Sequence, residues 1–60
     1  MKRKYIIKKL AEAGFTFKDG GSHTKVYDAQ GNMRATIPRH AEINEKLADA
    51  IQKQTGVKLR

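Results

Sequence analysis

Sixty residues carry a formal charge of +7, from thirteen Lys/Arg against six Asp/Glu, with 38% apolar residues and no cysteine. A chain this short is expected to form one domain over residues 1–60, with no room for separate catalytic, lid and cofactor-binding units and no disulfide or thiol-rich zinc staple. No apolar run reaches transmembrane length, Lys8-Lys9 interrupt the stretch after Ile7 that would otherwise mimic a signal peptide, and the charge points to a polyanion, a nucleic acid above all, as partner in a reducing cytoplasm.

Ile6, Ile7, Leu10 and Ala11 recur at helical spacing with Lys4, Lys8, Lys9 and Glu12 between them, which predicts an amphipathic helix from about Lys2 to Ala13. Gly14 reads as the left-handed residue past its end, with Phe15 folding back onto Leu10. Phe15-Thr16-Phe17-Lys18 alternates as a short strand does, and Asp19-Gly20-Gly21 marks a turn. Ser22 to Asp28 alternates again, Ala29-Gln30-Gly31-Asn32 marks a second turn, and Met33 to Ile37 is a third alternating run that Pro38 stops. Three short runs joined by tight turns predict an antiparallel meander. A last helix begins near Glu42 or Asn44, with Ile43, Leu47, Ala48 and Ile51 on one face and Asn44 as N-cap. Gly56 ends it and leaves Val57 to pack back on Ile51. The fold class is α+β in the order α-β-β-β-α.

Successive strand side chains point to opposite faces, so the alternation separates two surfaces. One parity collects Phe15, Phe17, Val26, Met33, Ala35 and Ile37, with Thr24 its single polar member, and is the expected core face. The other collects Thr16, Lys18, His23, Lys25, Tyr27, Arg34 and Thr36. Two short helices cover one face of a three-stranded sheet, so both lie on the core side and the second face stays open. That open face carries cations without a carboxylate, whereas a merely solvated sheet surface usually mixes signs. Helix 1 adds a second basic surface through Lys2, Arg3, Lys4, Lys8 and Lys9, suited to phosphate contact. The C-terminal third, with four bases and three acids over residues 41–60, is nearly neutral.

Histidine ordinarily titrates near neutrality, and this chain has two. His23 opens the second strand on the cationic face, with Lys25 and Tyr27 beside it and Gly20-Gly21-Ser22 before it, where glycines allow a substrate backbone to approach. That is a setting for moving a proton next to a phosphodiester. His40 follows Pro38-Arg39 in the loop after strand 3, where it either caps the loop or serves function, and Arg39 is placed to contact phosphate or a partner protein. His23 and His40 with Asp19 or Asp28 lack the spacing of a zinc motif, so no metal is expected.

A short basic chain of this order, with Gly20-Gly21-Ser22-His23 opening strand 2, Pro38-Arg39-His40 after strand 3 and a last helix ending in Gly56-Val57, resembles the HicA toxins of bacterial type II toxin–antitoxin pairs. The resemblance covers nearly the whole chain. Many members carry paired histidines after Gly-Ser, whereas this chain has only His23, which matches the one regarded as catalytic. The resemblance implies a fold like the double-stranded-RNA-binding domain and ribosome-independent cleavage of mRNA. It also implies a HicB antitoxin that buries the active face and itself binds operator DNA.

RNA brings its own nucleophile, the 2′-hydroxyl, so a small enzyme needs only to position the backbone, move protons and stabilise charge. On that reading His23 is the general base and Lys25 and Arg34 stabilise the phosphorane-like charge. Lys4, Lys8, Tyr27 and Arg39 serve RNA binding, no cofactor is needed, and Tyr27, Lys25 or solvent supplies the general acid. A non-catalytic double-stranded-RNA-binding module is the alternative, against which Glu42-Ile43-Asn44-Glu45-Lys46 brings two acids and one base to the start of the last helix. A subunit that docks an acidic protein through the same cationic face is a third.

Overall fold

Two amphipathic helices and three alternating strands can bury their apolar sides only against one another. The computed structural model describes residues 1–60 and places α1 at Arg3–Glu12, β1 at Thr16–Gly20, β2 at His23–Tyr27, β3 at Met33–Pro38 and α2 at Glu45–Thr55. The strands form one antiparallel sheet in the order β1-β2-β3. Ile6 and Leu10 of α1, Val26, Ala35 and Ile37 of the sheet, and Ile43, Ala48 and Ile51 of the last segment form the core, together with Leu59. Burial is one-sided: Thr24 and Val26 of β2 are buried while His23 and Lys25 between them are exposed, so the helices cover one face and leave the other open.

The helix ends follow the expected chemistry. Gly14 adopts φ 94, and the amides of Gly14 and Phe15 donate to the carbonyls of Ala11 and Leu10 at 3.0 Å each, the paired bonds of a Schellman ending. Asn44 caps α2 by accepting from the Leu47 amide at 2.8 Å, and Gly56 closes it at φ 75. Past that glycine the chain returns, because Gln52 Oε1 accepts from the Leu59 amide at 2.8 Å and seats Leu59 in the core. The helical spacing stops at Gly56 and gives no sign of this burial. Arg60 then pairs with Asp49 at 2.7 Å and Glu45 at 3.2 Å.

Two expectations need correction. Asp19-Gly20 does not turn the chain; both residues extend β1, with Asp19 opposite Thr24 and Gly20 opposite His23. The loop is Gly21-Ser22, where the positive φ of 69 falls at Gly21, the first central residue, as a type II′ hairpin requires. Asp19 is used instead as an acceptor for the Thr24 hydroxyl at 3.2 Å. Secondly, Met33 is not a core residue: it is 54% exposed. The register shifts beside Val26 and Tyr27, pairing Val26 with Ala35 but Tyr27 with Met33, so Arg34 is the extra residue of a bulge. One extra residue reverses the parity beyond it and moves Met33 to the open face.

Candidate active site

The register arranges the open face in rows across the sheet. Gly20, His23 and Pro38 form the row at the Gly21-Ser22 end, Lys18, Lys25 and Thr36 the next, and Thr16, Tyr27 and Met33 the last. His23 is exposed, and its Nδ1 lies 3.0 Å from Ser22 Oγ. The serine carbonyl accepts from the Arg39 amide at 3.2 Å, which ties the hairpin turn to the segment following β3.

Lys25 does not project straight away from the sheet. A Cβ at Gly20 would stand 3.0 Å from its Cε and 3.5 Å from its Nζ, so the lysine tail folds back across the bare glycine towards the His23 row. The space over Gly20, expected to admit a substrate backbone, is therefore occupied by that tail, whereas Gly21 has nothing within 4 Å of its Cβ position. Lys25 meets no carboxylate, so its charge stays unpaired over Gly20, the residue that faces His23 in the register.

Behind this end, on the helix side, polar groups are linked in a chain. Arg3 of α1 donates through Nε to the Pro38 carbonyl at 3.2 Å and through Nη2 to the Thr24 hydroxyl. Thr24 donates to Asp19 Oδ1, and Arg39 Nη1 lies 3.4 Å from the same oxygen. Thr24, the buried polar residue of the core parity, is thus the link between helix and hairpin. An exposed imidazole, an unpaired ammonium folded over Gly20 in the same row of the sheet and open backbone at the turn together form a site able to take a proton and hold an anion.

A model of the family described as HicA toxin of bacterial toxin-antitoxin matches residues 3–57. A curated relative, the "Probable mRNA interferase HicA 2" of Photorhabdus laumondii subsp. laumondii, is 40% identical over 60 residues, covering 97% of this chain and 100% of the relative. The chain belongs to the HicA toxin family. No solved structure matches it.

The structure sorts the expected site residues of this HicA toxin into groups. His23, Lys25, Gly20, Gly21 and Ser22 share one end of the open face. Lys4 and Arg39 meet in a cleft at the same end but on the helix side, and Lys8 lies further along α1 near Tyr5 and Ile7. Tyr27 and Arg34 stand at the opposite end: β2 carries Tyr27 four residues, about 13 Å, from His23. Arg34 is drawn to Asp28, its Nε 2.8 Å from Oδ2, so it is not brought to the imidazole. Asp28 also accepts through Oδ1 from the amides of Asn32 at 2.9 Å and Gln30 at 3.0 Å. The Asn32 amide above all holds its carboxyl below the ordinary carboxylate value, with Arg34 acting in the same direction against burial. His40 is exposed in the β3–α2 loop.

The sequence places Arg3 in the basic surface of helix 1 and Asp19 in a turn, and marks neither as a partner of Thr24. The available signal was Thr24, because a hydroxyl on an otherwise apolar strand face needs polar partners. At the chain start, the Met1 ammonium bonds Glu42 at 2.7 Å and the Ile43 carbonyl at 2.9 Å, and Lys2 pairs with Glu42 at 3.4 Å. The ammonium bond first, and the charges of Met1 and Lys2 after it, hold the Glu42 carboxyl below its ordinary value.

Proposed function

We propose that this HicA toxin is a metal-independent endoribonuclease that cleaves mRNA in the cytoplasm, with His23 as general base, and that a HicB-like antitoxin neutralises it by covering the open face. The observation that supports this most is the conjunction of Ser22 Oγ at 3.0 Å from His23 Nδ1 with the Lys25 tail folded over Gly20. When Nδ1–H donates to Ser22 Oγ, the lone pair of the imidazole lies on Nε2 and is free for a substrate proton.

In this scheme Nε2 takes the proton of the 2′-hydroxyl as its oxygen attacks the adjacent phosphorus. The P–O5′ bond breaks, leaving a 2′,3′-cyclic phosphate and a 5′-hydroxyl whose proton comes from the Lys25 ammonium or solvent. Lys25 stabilises the extra negative charge on the phosphoryl oxygens in the transition state. Nucleophile and electrophile belong to one substrate, so orientation and charge carry the rate enhancement, and no step calls for a metal. Like its 40% identical relative, named as a probable mRNA interferase, the chain would act on messenger RNA.

Cleavage of single-stranded RNA in EDTA, comparing the native chain with His23→Ala, tests the reading. The variant is expected to lose about 10²–10⁴-fold in rate with its fold intact, since His23 is exposed. Equal rates would remove His23 from the mechanism.

A further inference from the structure

A cleft of about 620 Å³ opens at the start of α1, lined by Lys2, Arg3, Lys4, Arg39 and Ala41. Four cationic side chains converge there from two segments far apart in sequence. Lys2 and Arg39 each have one carboxylate neighbour, Glu42 and Asp19 respectively, whereas Lys4 has none. Arg3 is bonded only to neutral groups, the Pro38 carbonyl and the Thr24 hydroxyl. Those bonds fix its guanidinium while leaving most of its five N–H donors free.

The charge arrangement is unfavourable by itself. The first turn of α1 has no acidic residue, and its cations sit at the positive end of the helix dipole. A bound anion would relieve both repulsions. The place of the cleft identifies the anion. Pro38 pairs with His23 in the sheet register, Arg39 follows it, and the Arg39 amide donates to the Ser22 carbonyl. Cleft and imidazole therefore flank the same edge, one on the helix side and one on the open face.

We propose that this cleft is a second phosphate-binding site, which grips successive backbone phosphates of the RNA strand after it passes His23 and turns over the Ser22–Arg39 edge. The proposal rests on the RNA-cleaving reading for the identity of its ligand. Arg3 is the fixed member, its fork suited to phosphate oxygens, and Lys2, Lys4 and Arg39 close around it. The site reads no base; its contribution is grip and direction of the strand.

The test measures binding of a short 2′-O-methyl oligoribonucleotide, which has no free 2′-hydroxyl to react, by fluorescence anisotropy across a salt series. Lys2→Gln combined with Lys4→Gln is expected to raise Kd about tenfold near physiological salt and to lower the salt slope by about 1.4. Lys4→Gln alone, at an exposed position without an ion pair, is expected to lower the slope by about 0.7 and serves if the double variant does not fold. With cleavable RNA both variants should raise KM and leave kcat in place. Unchanged Kd and slope would overturn the proposal, and binding of an acidic protein lost in the same variants would then assign the cleft to that partner. His23→Ala separates the two readings. If it stops cleavage while the cleft variants bind normally, only the second site fails; if it cleaves normally while the cleft variants bind weakly, only the His23 mechanism fails.

Discussion

At the Gly21-Ser22 end of the sheet, Lys25 lies over a bare glycine without a carboxylate partner, and His23 is bonded to a single neighbouring hydroxyl. At the Asp28 end, Arg34 is held at 2.8 Å by a carboxylate that also accepts from two loop amides. Both ends combine a tight loop, a glycine of positive φ and a strand cation. They differ in whether polar capacity is spent inside the fold. Where Asp28 saturates its partners, the charge closes a loop; where Lys25 and His23 retain theirs, the same residue types are left for a ligand. Function in so small a chain is therefore located by unspent charge rather than by a pocket, since the cationic face of the sheet is open.

The largest expected effect after loss of His23 is that of Lys25→Ala. If its ammonium stabilises the transition-state charge, single-turnover cleavage should fall about 10²-fold with little change in binding of the 2′-O-methyl oligonucleotide. A loss confined to binding would make Lys25 a mere phosphate contact and erase the contrast drawn between the two ends.

Much of this contrast was legible in the sequence, because period-2 alternation placed His23 and Lys25 on one face and Val26 and Ile37 on the other. The part that was not legible has local causes. Alternation carried through Met33 puts it on the core face, because a bulge is invisible to a period, and it groups Arg34 with His23 because parity fixes a face but not a distance along it. Asp-Gly is a strong turn signal, yet here the tertiary bonds of Asp19 to Thr24 and Arg39 favour keeping it in the strand, and Gly21 supplies the positive φ one step later. Leu59 lies beyond a helix-ending glycine, where side chains of α2, Gln52 on its amide and Asp49 and Glu45 on Arg60, direct the return. The fold of Lys25 over Gly20 needs three dimensions, since the two residues meet only through the register that pairs Gly20 with His23.

A smaller effect separates that last arrangement from the simpler idea that Gly20 admits substrate. In Gly20→Ala the new methyl meets Lys25 Cε at 3.0 Å, and the flexible tail can move aside, so the fold should persist at equal or higher Tm. Displacing the ammonium should cost about tenfold in kcat. In a Lys25→Ala background the same substitution should then cost nothing more. An equal loss in both backgrounds would show that Gly20 meets the RNA directly.

The smallest effect on cleavage is expected at the other end, where Asp28→Asn should leave kcat near the native value and lower Tm. The substitution keeps size but loses the charge that Arg34 and the two loop amides address. The pH dependence fixes the sign. The folded-state pKa of Asp28 is depressed, so its stabilisation is fully present above the ordinary aspartate value of about 3.9 and is lost as pH falls through the lower folded value. Native protein should therefore lose Tm more steeply than Asp28→Asn on acidification below about pH 4, and the two curves should converge. Parallel curves would mean that the carboxylate charge does not close the loop. A large fall in kcat with Tm unchanged would mean that the Asp28 end belongs to the active site.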